Sequence, residues 1–203
     1  MALHSPRQSP KLWRRYLDGA EDQYRRFGVQ HALHREEIED GRLVSSFVVA
    51  WSGQEMVGGI RCHGPLLAVD EAYALREMAG AERPDILRRV IASCIPGGVV
   101  EIKGAWLRAG IPRAAVWARA LARCIAHFMD LHSSDYGICT GADKVTPRWE
   151  TIGGREIPRV GTSPYPSDDY RTVFLLVERA MIPHLGAPEQ VRLLERERTQ
   201  RGR

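Results

Sequence analysis

Cysteine is scarce in this 203-residue chain: Cys62, Cys94, Cys124 and Cys139 are too few and too widely spaced to form a disulfide scaffold. A reduced, cytoplasmic setting is the expectation. Long apolar runs are missing too. No stretch approaches the length of a membrane span, and Met1–Pro10 has no apolar signal region, so a soluble protein without a classical export signal is expected. Charge of one sign is not in large excess, since 29 basic and 25 acidic residues leave +4, and no basic patch carries interleaved aromatics. Nucleic acid is therefore not an expected partner. No Ser/His/Asp order and no activated thiol stand out, and Cys139 in a buried strand reads as an inert small hydrophobe. Covalent catalysis is disfavoured. Cys124 and His127 have a ligand-like spacing but fall on opposite faces of one helix, so no metal site is predicted. No internal repeat is present.

What is there is enough apolar material, 44% of the residues, to bury one well-formed α/β domain. The chain is organised around Gly98–Met129. Val99, Val100, Ile102, Ala105, Trp106 and Leu107 predict a strand covered by other elements. Glu101 sits inside that strand and needs a reason to be there. Val116, Trp117, Ala120, Leu121, Cys124, Ile125 and Phe128 then recur at spacings of three and four, with Arg119, Arg123 and His127 opposite, which predicts an amphipathic helix packed on a sheet. Between them Gly110 relaxes a turn, and Pro112 suits a first helical position. A strand that feeds a helix through such a turn presents free backbone donors at the helix start, which suits an anionic phosphate or pyrophosphate.

Residues 1–10 are polar and expected to be mobile, 11–180 form the domain, and 181–203 read as a charged tail, a frayed helix ending in disorder. Lys11–Phe27 has helical spacing. His31–Arg42 is either a second helical piece or a charged connection. Ser46–Trp51 and Met56–Cys62 predict a hairpin, with Gly58 and Gly59 marking a bulge or a close backbone approach. Leu75–Ala81 and Pro84–Ser93 read as short helices, Asp135–Thr140 as a buried strand and Thr146–Ile152 as a short helix. Arg155–Val160 is a short strand, Ser163–Asp169 a loop and Tyr170–Val177 an alternating strand.

This order of elements resembles the GCN5-related N-acetyltransferase superfamily from about Lys11 to Glu178. The resemblance implies a mixed central β-sheet flanked by helices, with a splayed central strand and an acyl-thioester in the gap. It places the cofactor's pyrophosphate at the turn Leu107-Arg108-Ala109-Gly110-Ile111-Pro112, whose central glycine matches the family pattern, with Trp106, Leu107, Arg108, Gly110, Ile111 and Arg113 as cofactor-binding residues. Trp149-Glu150-Thr151-Ile152-Gly153-Gly154 keeps the spacing of a second family motif, but Trp149 stands where many members carry a tyrosine that protonates the leaving thiolate, and an indole cannot do so. Trp149 is expected instead to pack against the cofactor or to cap the core.

The segments VGGIRCHGP and EIKGAW are similar to the acyl-homoserine lactone synthases and the long-chain N-acyl amino acid synthases, matching an arginine at Arg61 and a glutamate at Glu101. The resemblance implies an N-acyltransferase, with acyl-CoA or an acyl-phosphopantetheine on acyl carrier protein as donor and a small amine such as an amino acid as acceptor. An acyl-homoserine lactone synthase is the alternative within the branch. An amine attacking a thioester must lose its proton, and Glu101 is the candidate base, because a lone carboxylate in an apolar strand must be paired or have a raised proton affinity. Arg61 orients it. A structural ion pair of Glu101 with Arg61 or Lys103 is the competing explanation. Thr140 and Trp149 are the candidate substrate-binding residues, and a backbone N–H near Ala105–Leu107 suits the developing oxyanion. The departures at Leu107, Pro112, Gly104 and Trp149 support a rival reading, a noncatalytic acyl-thioester-binding module.

Overall fold

The structure is a computed structural model, and residues 2–201 are described. Seven strands form one mixed sheet in the order β1-β2-β3-β4-β5-β7-β6. They are β1 (Ala2–His4), β2 (Ser46–Ser52), β3 (Glu55–His63), β4 (Val99–Leu107), β5 (Tyr136–Ala142), β6 (Arg155–Glu156) and β7 (Thr172–Glu178). Every neighbouring pair is antiparallel except β4–β5.

Period-two alternation sends β4 side chains to two different layers. Val100 and Ile102 join Cys62, Cys139, Leu175 and the apolar stripe of α5 (Ala114–Leu131), where Leu121, Cys124, Ile125, Phe128 and Met129 are buried. On the other face α1 (Pro10–Arg26) turns Trp13, Tyr16, Leu17 and Ala20 inward against Phe47, Val49 and Trp106. Beside it α3 (Tyr73–Glu77) and α4 (Pro84–Cys94) cover Val99, Ile138 and Phe174. Each such large apolar side chain contributes about 1.5–3 kcal/mol when fully buried. Two glycines set the approach of these layers. A Cβ on Gly59 would stand 2.7 Å from the Tyr16 ring, and one on Gly137 would stand 2.8 Å from Ile125 Cγ1.

Several expectations are corrected. Ala2–His4 is not a loose start but pairs with Phe47–Val49; Met1 lies outside the described residues. Of the two alternatives for His31–Arg42 the helical one holds in part: a 3-10 turn at Gln30–Leu33 and a single helical turn, α2 (Arg35–Ile38), bury Leu33 and Ile38. Arg155–Val160 is strand only at its first two residues and then a 3-10 turn, Pro158–Val160. Pro112 precedes the helix: Ile111 is first laid against Ala50, Val57 and Trp117, and α5 starts at Ala114 with Arg113 as its N-cap at φ 57°.

The tail is a docked helix. After α6 (Thr146–Glu150) and the single turn α7 (Ile182–Leu185), α8 (Pro188–Arg201) buries Leu194 in the α5 layer. It covers the face of α5 that the periodicity assigned to solvent, so Arg123 and His127 are buried. Arg123 donates to Gln190 Oε1 at 2.7 Å and to Glu197, and His127 Nε2 lies 2.8 Å from Glu197 Oε2. Gly202 and Arg203, the end of the expected disorder, lie outside the described residues.

Candidate functional site

The central strands part company halfway. Val99–Ile102 pair with Tyr136–Cys139, but from Lys103 on β4 stays with β3 while β5 stays with β7. The cause is local. Gly59 faces Trp106 and Arg61 faces Lys103, so β4 carries one residue more than β3 across that step, a β-bulge at Gly104 with φ 59°. A Cβ on Gly104 would stand 2.7 Å from the Tyr16 hydroxyl and 3.0 Å from Arg61 Nε, so this positive φ and close approach require glycine. The Tyr16 hydroxyl pins the bulge by donating to Gly104 O at 2.6 Å.

Two contiguous cavities fill the gap. The larger, about 570 Å³, runs along Trp106 and Leu107 of β4, Leu121 and Ala122 of α5, and Arg148 and Trp149 of α6. The smaller, about 230 Å³, lies at the crotch of the V and is lined by Glu77, Lys103, Gly104, Thr140, Trp149 and Tyr165. Both are bordered by Tyr24, Ala105, Ala142 and Tyr170. Two segments bridge above: His31 Nε2 lies 3.2 Å from Pro166 O, His34 Nε2 lies 3.0 Å from the Tyr165 hydroxyl, and the Tyr170 hydroxyl donates to Phe27 O at 3.3 Å.

Glu101 is not in this gap. It lies below the crotch, fully buried, where its two carboxylate oxygens accept the backbone N–H groups of Tyr73 and Ala74 at 2.8 Å each. It thus serves as the acceptor for the start of α3, a place in the fold that answers why a carboxylate sits in an apolar strand. Burial raises its carboxyl pKa and the Glu77 charge acts the same way, against Lys103, the Tyr73 N–H and His63. The expected partnership with Arg61 is corrected as well. Arg61 is paired across the sheet with Lys103, and its guanidinium donates to Leu33 O at 3.3 Å and lies 5.7 Å from the Tyr73 ring centroid. No carboxylate pairs with it among the described residues, and its Nε and Nη1 have no hydrogen-bond partner.

At the other end of α3, one turn beyond the N–H groups held by Glu101, Glu77 reaches the crotch. Its Oε2 takes the Lys103 ammonium and the Thr140 hydroxyl, and Lys103 Nζ also lies 3.0 Å from Thr140 Oγ1. Lys103 and Thr140 directly follow Ile102 and Cys139, the last parallel pair, so the strands split at this cluster. Sequence reasoning missed Glu77 and gave Lys103 only as a possible partner of Glu101. The available signal was a charged residue before a glycine in an apolar strand; the packing of α3 against it had no signal. Cys139, behind Thr140, has its thiol pushed up to about 12 by burial and holds no thiolate at neutral pH.

The remaining predicted residues divide. Trp106, Leu107 and Trp149 line the larger cavity, and Thr140 and Trp149 line the smaller. Arg108 is engaged by Glu55 at 2.9 Å, and Ile111 is buried in the core. Gly110 is exposed at φ 74° with open space around it, and Arg113 carries no ion pair among the described residues. Val116 N and Trp117 N both donate to Arg113 O, so the N–H groups of Ala114 and Ala115 open the helix.

No family model matches the sequence. The uncharacterized protein Rv1356c of Mycobacterium tuberculosis is 32% identical over 192 residues, covering 94% of this chain and 73% of that protein. The chain belongs to the Rv1356c family. Among solved structures, this member of the Rv1356c family is similar to MesI, a CoA-dependent acyl-homoserine lactone synthase, with TM-score 0.61 and 16% identity over 95% of this chain and 94% of that one. It is also similar to FeeM, an N-acyl amino acid synthase from uncultured soil microbes, with TM-score 0.59 and 12% identity over 92% and 99%. Aminoglycoside 6'-acetyltransferase type Ii gives 0.53 and 13% over 88% and 97%. The chain therefore shares the GCN5-related N-acetyltransferase-like fold of these structures. No helix among the described residues is long and apolar enough to cross a membrane.

Proposed function

We propose that this protein is an N-acyltransferase that moves an acyl group from a phosphopantetheine thioester to a small amine such as an amino acid, by direct attack. One observation carries the reading: β4 and β5 separate at Ile102/Cys139 and enclose a mostly apolar cavity, with Lys144 and Arg148 on its larger part and the Glu77–Lys103 pair at the crotch. A pantetheine arm lies in such a gap by completing the β4 edge, since residues 105–107 have no strand partner on the β5 side. An N–H of that edge is the donor that meets the thioester oxygen as it gains charge. The donor's phosphates fall at the turn from Gly110 to the start of α5, where Arg113 supplies charge and the first helical N–H groups supply donors. Arg108 is held by Glu55 in an exposed ion pair that a phosphate would have to displace. The names of the similar structures, which specify acyl-homoserine lactone and N-acyl amino acid synthases, support the same reaction class.

A second reading, a noncatalytic acyl-thioester-binding module, is favoured by Trp149, which lines both cavities without an ionisable group. One experiment decides. Native mass spectrometry of freshly isolated protein is followed by incubation with radiolabelled octanoyl-CoA or octanoyl acyl carrier protein and pooled amino acids or simple amines. Labelled amide is expected, with the better donor identifying the carrier. Bound thioester without amide selects the module, and neither binding nor amide overturns the proposal. Arg113→Glu is expected to weaken octanoyl-CoA binding; unchanged binding would remove the phosphate turn from the reading.

A further inference from the structure

The acyl-transfer reading leaves two protons unassigned: Glu101 is locked against α3, and Trp149 cannot protonate a thiolate. We infer that Glu77 and Lys103, held together by Thr140 at the crotch of the V, supply the base and the acid of the reaction. This inference rests on the acyl-transfer reading and extends it.

Four observations carry the assignment. The pair stands where the parallel strands split, so a thioester lying in the gap brings its reacting end to it. Glu77 and Lys103 are 2% and 8% exposed, so what they touch is the cavity and each other rather than bulk water. Glu77 uses Oε2 for both Lys103 and Thr140, while its Oε1 accepts no hydrogen bond among the described residues and is available to an acceptor. Of the 29 Lys and Arg residues, only Lys11, Lys103 and Lys144 are lysines. The cation at the crotch is thus one that can release a proton, which a guanidinium cannot.

The step balances without a further reactant. The neutral amine's lone pair forms the C–N bond at the thioester carbon, and the carbonyl π pair moves to oxygen. Collapse restores the carbonyl and breaks the C–S bond, whose electron pair leaves with sulfur. The nitrogen's extra proton passes to Glu77, and Lys103 protonates the thiolate. Glu77 then returns its proton to Lys103 through their direct contact, so one proton has moved from amine to thiol. Thr140 is a positioning residue that fixes the carboxylate's orientation, and Glu101 positions the whole pair by anchoring α3.

The test compares the full-length parent with Glu77→Gln, Glu77→Asp, Lys103→Arg and Thr140→Val, using octanoyl-CoA with the pooled amino acids and simple amines. Melting temperature and octanoyl-CoA binding are measured alongside as controls for folding. Glu77→Gln is expected to lower kcat about 100-fold with octanoyl-CoA binding unchanged, and to be partly rescued in Glu77→Asp. Lys103→Arg keeps the charge but cannot act as acid, and is expected to lose at least about 30-fold. A purely structural pair predicts that a Lys103→Arg protein which keeps its melting temperature and octanoyl-CoA binding also keeps its turnover. If Glu77→Gln fails to fold, Lys103→Arg and Thr140→Val carry the test. Turnover within threefold of parent in a folded Glu77→Gln or Lys103→Arg overturns the proton pair while acyl transfer stands. A parent that binds octanoyl-CoA and forms no amide overturns acyl transfer and the pair with it.

Discussion

The two halves of the β4–β5 interface differ by one inserted residue, and nearly everything about their chemistry differs with it. Below the split, Val99–Ile102 and Tyr136–Cys139 are zipped in register and sealed on both faces, and the one carboxylate, Glu101, is saturated by backbone donors. Above it, Lys103–Leu107 and Thr140–Ala142 enclose a cavity, and the carboxylate there, Glu77, keeps an oxygen free of hydrogen bonds among the described residues. A buried acid that holds a fold together is satisfied; one that can do chemistry is not. The lesson is that burial alone does not mark a functional carboxylate, since Glu101 is the more buried of the two.

The contrast can be broken most severely from the zipped half. Glu101→Leu leaves the Tyr73 and Ala74 N–H groups buried and unpaired, with an expected loss of about 2–5 kcal/mol in urea unfolding; a loss under 1 kcal/mol would show that α3 does not depend on this anchor. Gly137→Val forces a side chain against Ile125 and Met129 and is expected to cost about 1–3 kcal/mol, read as a lowered melting temperature with octanoyl-CoA affinity in the folded protein unchanged.

A third prediction concerns the brace behind the zipped half. Burial raises the Glu197 carboxyl, but hydrogen bonds from His127 and Arg123 outweigh it and bring the pKa to about 2. Because the folded pKa lies below the unfolded one, the stabilisation is full above pH of about 4.5 and disappears as pH falls through about 2. With the Glu197 side chain 30% exposed, solvent screening leaves about 1–2 kcal/mol. Glu197→Gln is expected to flatten that part of the stability profile, and an unaltered acid profile would refute it. The smallest effect belongs to the open half. If Lys103 protonates the thiolate, Trp149→Tyr, which restores a phenol, changes kcat by less than threefold; a tenfold gain would return that role to position 149.

Much of the fold was legible because strong periodicities dominated it. The α5 stripe, the hairpin and the alternation of β7 each name their own partners' faces. The splay was anticipated only through family resemblance, although Gly104 is its physical cause, because a glycine in a strand does not reveal its φ. Glu101 was conspicuous for the right reason, a costly charge in an apolar strand, but the sequence could not say that backbone N–H groups of α3 would meet it. Glu77 was invisible for the complementary reason: it ends a short charged helix of ordinary appearance. Arg123 and His127 were placed in solvent because nothing in the periodicity of α5 records that α8 folds back over it.

The bulge also fixes which way the outer part of the strand faces. Upstream of Gly104 the odd-numbered residues look toward α1 and α3; downstream Trp106 does, and Ala105 and Leu107 turn to α5. The inserted glycine is a phase shifter: were residue 104 to take a regular strand place, the two sets would exchange, thrusting an indole among the side chains of α5 and stripping Tyr16 of one of its aromatic neighbours, Trp106. Conformation, rather than length, is thus under constraint at this point: deleting residue 104 would leave Lys103 and Ala105 on opposite faces as they are now, whereas a residue that refuses the positive φ would turn the outer surface inside out.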